Sequence, residues 1–144
     1  MSETSKFSEQ AATELLMASN LLVRRLRLEG SGLESLTWTQ VAVMHRLETE
    51  PMTIADLARS ESIKPQSMGA TVAILEEGGF VERKPHPSDG RQFLFALTAS
   101  GEEMRRASTA AKRAWLARAI EELGPDDRAV LFAAINVLRE LSEK

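Results

Sequence analysis

The chain lacks residue types on which whole classes of function depend. Among its 144 residues it has no cysteine and no tyrosine, and it has two histidines. The absence of cysteine excludes a disulfide framework, a thiolate zinc site and cysteine-based redox sensing. Because His45 and His86 lie far apart in the sequence, they do not form the acid, base and nucleophile groupings of common enzymes. The sequence therefore predicts a protein that is not an enzyme and that uses no metal and no cofactor.

Long apolar segments are lacking as well. The longest apolar run, residues 129–135, is far shorter than the about 20 residues that a membrane-spanning helix needs, and no apolar leader follows Met1. Hydrophobic residues make up 43% of the chain and charged residues 27%, the balance of an ordinary globular domain. We therefore expect one cytoplasmic domain that does not associate with a membrane.

Positive charge is scarce overall but locally concentrated. The net charge is −3, and a DNA-binding protein of this charge must collect its cations at one surface, because affinity comes largely from neutralising phosphates. Residues 63–75 contain Lys64 and no acid. Residues 83–91 contain one acid, Asp89, and four basic side chains: Arg83, Lys84, His86 and Arg91. This segregation predicts a nucleic-acid surface in the middle of the chain.

Apolar periodicity predicts long helices at both ends. Apolar residues recur at spacings of three and four from Phe7 to Leu26, a second apolar face runs beside them, and Gly30 and Gly32 end the segment. Two apolar faces indicate a helix that packs within its own subunit and against another. A long alanine-rich helix is predicted after residue 98, and Pro125 begins a final amphipathic helix.

Capping signatures divide the middle of the chain into short helices and a hairpin. Thr37 with Gln40, and Thr53 with Asp56, each mark a helix start, and Pro65 suits the first position of a third helix. We expect the buried stripe of that third helix to contain Met68, Val72 and Leu75. Segments 80–84 and 92–97 read as two strands joined by a turn rich in proline, serine and glycine.

The opposite face of the third helix carries small, polar and methyl-bearing residues: Gln66, Ser67, Ala70, Thr71 and Ala73. Solvated helices usually favour Glu and Lys, which this face avoids, although a merely solvated surface is the alternative. Gln66 can pair with adenine through two hydrogen bonds, and Ala70 or the Thr71 methyl can pack on thymine methyls. The pattern predicts a helix that enters the major groove.

The segment LEEGGFVERKPHPSDGRQFLFALTASG resembles the MarR family of winged helix-turn-helix regulators. The stretches LTWTQVAVMHRL and ADLA are similar to the family too, so the resemblance covers nearly the whole chain. The residues that carry it most specifically are Leu75, Gly79, Arg83, Asp89, Arg91, Leu97, Thr98 and Gly101.

The resemblance implies a mostly α fold with a small β-hairpin wing. Residues 1–32 and 99–144 would be dimerisation helices, and residues 33–98 would form the winged helix-turn-helix that binds DNA. It also implies a homodimer whose two winged helix-turn-helix regions bind an inverted repeat of double-stranded DNA. Such regulators usually repress transcription, and many release DNA when a small aromatic acid or phenol binds.

The residues expected to contact DNA are Lys64, Pro65, Gln66, Ser67, Gly69, Ala70, Thr71, Arg83, Lys84, His86, Ser88, Asp89 and Arg91. Arg91 is predicted to enter the minor groove, aimed by Asp89; a simple surface salt bridge between them is the alternative. His86 is either a phosphate contact or a solvated turn residue. The family often has arginine where this chain has Ala70 and Ile74. We therefore expect more of the DNA contacts to come from Lys64, the helix N-terminus and the wing.

By position, the resemblance places an effector pocket near Met17, Leu21, Trp38 and Ala111, although ordinary core packing explains these residues equally well. The lack of tyrosine removes a common partner for phenols. The basic run at Arg24, Arg25 and Arg27 would contact an effector carboxylate or DNA phosphates, or be a solvated face. His45 is expected to be half-buried.

The missing recognition-helix arginines leave a second function open. In that alternative the chain is a winged-helix protein-interaction module with weak or no DNA binding. Steep salt dependence of DNA binding separates the two, because only phosphate contacts release counterions.

Overall fold

The structure, a computed structural model, describes residues 2–30 and 35–144. Over these residues the chain forms six helices and a two-stranded antiparallel hairpin. They are α1 (Glu3–Glu29), α2 (Trp38–Leu47), α3 (Ile54–Ser60), α4 (Pro65–Glu77), β1 (Val81–Pro85), β2 (Phe93–Leu97), α5 (Ala99–Glu121) and α6 (Pro125–Ser142). The predicted fold class, mostly helical with a small hairpin wing, is confirmed. Gly32, predicted to help end the first helix, lies outside the described residues.

The short helices begin where their capping residues predict. The Thr37 hydroxyl accepts the Gln40 backbone N–H at 3.2 Å, and the Gln40 side chain accepts the Thr37 N–H at 2.8 Å. At α3, the Thr53 hydroxyl accepts the Asp56 N–H at 3.1 Å. These bonds satisfy donors that the first turn of a helix otherwise leaves unpaired.

The core lies between α2, α3, α4 and the hairpin. Helix α4 contributes its predicted stripe, since Met68, Val72 and Leu75 are each at most 1% exposed. The other core members come from α2, α3 and the two strands: Val43, Met44, Leu47, Leu57, Ala58, Val81, Phe95 and Leu97. Burial of this apolar surface holds α4 against α2, α3 and the hairpin.

The hairpin pairs Val81 with Leu97 at its base and Pro85 with Phe93 towards its tip. Both strands lie within one residue of the predicted segments. Met52, before α3, exchanges two backbone hydrogen bonds with Phe95 at 3.0 and 2.8 Å. This isolated β-bridge was not predicted, because a single bridge leaves no periodic signal in the sequence.

A close contact joins the base of the wing to α5. The Thr98 hydroxyl caps α5 by accepting the Gly101 N–H at 3.0 Å and donates to the Gly79 carbonyl at 2.6 Å. A β-carbon at Gly101 would lie 2.2 Å from the Phe80 carbonyl oxygen, so only glycine allows this approach. The contact therefore sets the position of the wing base on the long helix.

Helices α1 and α6, both described in full, bury none of their residues. Large apolar side chains along them are open to solvent, including Phe7, Leu16, Leu21, Val130 and Phe132, which are 61–72% exposed. In the described part of the chain, no helix is both long and apolar enough to cross a membrane.

Candidate nucleic-acid interface

Helix α4 presents one face to solvent from its first turn onwards. Lys64 is its N-cap residue and makes no side-chain capping bond, and Pro65 occupies the first helical position, as predicted. The N–H groups of the first turn are therefore free of a side-chain acceptor. On the solvent side, Gln66, Ser67 and Ala70 are exposed, whereas Gly69 and Thr71 are half-buried.

The wing tip is shaped by His86 and Asp89. The His86 Nδ1 atom accepts the backbone N–H groups of Ser88 at 3.2 Å and Asp89 at 3.0 Å. One Asp89 carboxylate oxygen accepts the Arg91 backbone N–H at 3.0 Å, and the other accepts the Gln92 amide at 3.1 Å. Both side chains thus form the turn that carries Arg91.

The Arg91 side chain is exposed, and its guanidinium forms no ion pair with any residue that the structure describes. The Asp89 contact is made to the Arg91 backbone rather than to its guanidinium. Asp89 therefore orders the backbone at the wing tip and leaves the Arg91 side chain free to contact a ligand.

A groove of about 350 Å³ joins the wing to the start of the recognition helix. Pro65 at the start of α4 and Arg91 at the wing tip both line it. The remaining lining residues are Thr53, Ile54, Ala55, Gln92, Phe93 and Phe95. The two regions that the sequence marks as basic therefore open onto one side of the molecule.

Arg83, by contrast, is held by an acid. Its guanidinium forms a two-point ion pair with the Glu76 carboxylate at the end of α4, with N–O distances of 2.8 and 2.7 Å. The guanidinium also lies 5.0 Å from the Phe93 ring centre and 5.7 Å from that of Phe95. The hydrogen bond from Arg83 lowers the pKa of Glu76, and the same bond raises the pKa of Arg83.

Sequence reasoning missed this pair. The signal was an acid and an arginine seven residues apart, on either side of the Gly78–Gly79 turn. The neighbouring Lys84 has only a loose contact, 3.7 Å from a Glu82 oxygen, and its side chain is 53% exposed. The structure thus separates two adjacent cations that the sequence treats alike.

A second, smaller cavity of about 170 Å³ lies between α1, α2 and α5. Arg27, Trp38 and Lys112 line it together with Val23, Leu26 and Val41. The Arg27 guanidinium lies 4.1 Å from the Trp38 ring centre, and its Nη2 atom donates to the Leu36 carbonyl at 2.5 Å. Its Nη1 atom is buried without a hydrogen-bond partner among the described residues.

Among the described residues that line this cavity, two are basic and none is acidic. Burial lowers the pKa of Lys112, and the nearby Arg105 and Arg27 guanidiniums lower that pKa further. A buried cationic donor that lacks an acceptor is energetically unfavourable. The cavity therefore combines an aromatic wall, Trp38, with two basic side chains, Arg27 and Lys112.

Of the four residues predicted for an effector pocket, Trp38 lines this cavity. Ala111 adjoins Lys112 but does not line it, and Met17 and Leu21 are exposed on α1. The prediction for His45 is wrong: its side chain is 69% exposed, and its Nδ1 atom lies 3.2 Å from Arg105. His45 lies in the last turn of α2 and is not part of the core, which takes Val43, Met44 and Leu47 from this helix.

Comparisons with known proteins agree with this architecture. Residues 36–93 match the model of the MarR family. Over 134 residues the chain is 34% identical to an uncharacterized HTH-type transcriptional regulator of Mycobacterium leprae, covering 92% of this chain and 93% of that relative.

Solved structures have the same fold. A putative transcriptional regulator of Pseudomonas aeruginosa is 27% identical and superposes with a TM-score of 0.83, covering 95% of this chain and 97% of its own. Streptococcus pneumoniae FabT, solved in complex with DNA, is 19% identical with a TM-score of 0.65 over 94% of this chain and 97% of its own. Transcriptional regulators of this kind are not enzymes, which confirms the prediction that this chain is not one. The chain belongs to the MarR family of helix-turn-helix transcriptional regulators.

Proposed function

We propose that the protein is a cytoplasmic repressor that binds an inverted-repeat operator as a homodimer. The observation that carries this proposal is the groove lined by both Pro65 and Arg91, because it places the recognition helix and the wing tip on one side. Helix α4 would enter the major groove, and Arg91 would reach the adjacent minor groove. A protein with the same fold, Streptococcus pneumoniae FabT, has been solved in complex with DNA, which supports DNA binding by this chain.

Within the winged helix-turn-helix region of each subunit, we assign different roles to the basic residues. Lys64, Lys84 and Arg91 have exposed side chains and would supply the salt-sensitive part of the affinity. The pair between Arg83 and Glu76 would instead hold the wing against the end of α4, so Arg83 acts as a positioning residue. Gln66, exposed in the first turn of α4, would read a base.

Operator selection from random DNA with the full-length protein tests the proposal. The selected sites should be inverted repeats with half-site centres about one helical turn apart, and inserting about five base pairs between them should abolish tight binding.

Arg91→Ala should abolish tight binding while the protein stays folded. Arg106→Ala is the matched control, since Arg106 is also exposed but lies on α5 and pairs with Glu103. Unchanged affinity of the Arg91 variant at physiological salt would contradict the proposal.

The exposed apolar faces of α1 and α6 support the homodimer. Large exposed apolar surfaces mark interaction sites in soluble proteins, and a second copy would cover both faces symmetrically. Val130→Asp should yield monomers or aggregates in sedimentation experiments, because Val130 is 68% exposed in one chain and contributes little to its own fold. Asn136→Asp, an exposed polar site on the same helix, is the control. A Val130→Asp protein that remains a dimer would refute this assignment.

We further propose that the cavity at Trp38 binds a small aromatic carboxylate that releases DNA. At about 170 Å³ it is smaller than the roughly 300–1,000 Å³ of drug-sized pockets, so it suits a single ring. Arg27 and Lys112 would bind the carboxylate, and the Trp38 ring would pack on the ligand. A larger cleft of about 490 Å³ by Arg105, Arg106 and Arg113 offers no aromatic wall.

Benzoate and its neutral analogue benzamide test this effector site. In a Trp115→Phe background, which leaves Trp38 as the single tryptophan, benzoate should change the fluorescence and weaken operator binding, whereas benzamide should do neither. Lys112→Gln should remove the benzoate response without changing operator affinity in its absence. Equal responses to both compounds would exclude a carboxylate site.

A further inference from the structure

The exposed face of α4 is almost free of polar side-chain groups beyond its first turn. Gln66 and Ser67 carry polar atoms there, but Ala70, Ala73 and Ile74 present only methyl and methylene groups to solvent. No charged residue lies between Lys64 and Glu76. Beyond the first turn, the exposed face of α4 can therefore make mainly apolar contacts with a ligand.

Thr71 extends this carbon surface. Its hydroxyl donates to the Ser67 carbonyl at 3.1 Å, one turn earlier in the same helix. Because that bond uses the hydroxyl hydrogen within α4, the γ-methyl is the group of this side chain best able to interact with a ligand. Thr71 would therefore contact a ligand through its methyl group, as a small apolar residue does.

Ile74 is the largest apolar group of the surface. It is 54% exposed, and it lies one turn after Ala70 on the same side of the helix. An exposed isoleucine has a lower helix propensity than the Lys or Glu that solvated faces favour, so helix formation does not explain its place here. On this face, one turn beyond Ala70, Ile74 would be buried against DNA when α4 lies in the major groove.

We propose that α4 reads thymine C5-methyl groups, so that the operator half-site has A·T pairs opposite Ala70, Thr71 and Ile74. This inference rests on the proposed function, since it specifies what the recognition helix contacts in the operator. In the major groove, thymine is the unmodified base with an apolar group on its edge. A G·C pair presents only hydrogen-bonding groups on this edge, whereas an A·T pair adds the thymine methyl, the one group that these side chains can pack against.

Deoxyuridine provides the direct test, because it differs from thymidine only by lacking the C5 methyl and keeps the same base pairing. The operator is first selected with the full-length protein, and each thymidine of a half-site is then replaced singly by deoxyuridine. At the positions opposite Ala70, Thr71 and Ile74 the expected loss of affinity is about fourfold per methyl. A symmetric pair of replacements, one in each half-site, should cost about fifteenfold.

Ile74→Ala tests the same contact from the protein side. Because the Ile74 side chain is exposed, the variant should keep its fold. The loss of affinity caused by deoxyuridine at the position opposite residue 74 should disappear. Lys84→Gln should weaken binding but keep that penalty, because its contact is to a phosphate. This coupling between one methyl and one side chain is a result that a general loss of affinity does not produce.

The outcomes separate this inference from the proposed function. Selection of a specific site that binds equally well with thymidine and deoxyuridine overturns methyl reading while operator binding stands. Half-sites dominated by G·C pairs opposite α4 also overturn it. If no sequence is enriched, the proposed function fails and this inference fails with it.

Discussion

Replacing Lys84 and Arg83 by glutamine is expected to weaken operator binding in two different ways. Lys84 has only a loose contact with Glu82 and is 53% exposed, whereas the Nε and Nη2 atoms of Arg83 both donate to the Glu76 carboxylate. Each phosphate contact contributes about 0.9 to the slope of log K against log salt concentration. A dimer presents each residue twice, so Lys84→Gln should flatten the slope by about 1.8. Between about 50 and 200 mM salt, its affinity should therefore fall about twelvefold less than that of the wild type.

Arg83→Gln should lower affinity by a similar factor at every salt concentration, with an unchanged slope, because a displaced wing affects all contacts alike. Fluorescence anisotropy of a labelled operator, titrated at several salt concentrations, measures both quantities. Glu76→Gln adds a second criterion: it should weaken binding if the pair positions the wing, and strengthen it if Arg83 is thereby freed to contact phosphate. A flattened slope for Arg83→Gln, together with tighter binding of the Glu76 variant, would refute the positioning role.

Three further predictions concern stability. Leu57→Ala should lower the free energy of unfolding by about 2–5 kcal/mol in urea titrations, because Leu57 is fully buried; a loss below about 1 kcal/mol would contradict its place in the core. Gly101→Ala should cost about 1–3 kcal/mol through its clash with the Phe80 carbonyl, whereas Gly90→Ala, with no atom near its β-carbon, should be nearly neutral; equal costs would argue against the close approach. The pKa of Glu76 is lowered from its usual value of 4.5, so its contribution is present above that pH and is lost as pH falls below it. Acid titration of stability should show a smaller loss for Glu76→Gln than for the wild type, and identical curves would exclude the ion pair in solution.

Local sequence signals were sufficient for the helices and for the hairpin. Thr37, Thr53 and Pro65 mark helix starts through bonds or backbone angles that involve only residues within four positions, so the information is present in a short window. The buried stripe of α4 likewise follows from helical periodicity alone. The division into dimerisation helices and a central winged helix-turn-helix region came from the order of these elements and from the family resemblance. This division stays a prediction.

Contacts between distant residues were decided by the tertiary structure. The sequence placed Arg83 with Lys84 as equal basic residues, but the chain reversal at Gly78 and Gly79 brings Arg83 onto Glu76 and leaves Lys84 in solvent. Packing of α5 against α1 likewise brings Lys112 close to Arg27, which no local pattern indicates. Propensity, capping and periodicity act within a few residues and are therefore legible in the sequence. The charge environment of a side chain depends on which elements pack beside it, and only the folded chain determines that.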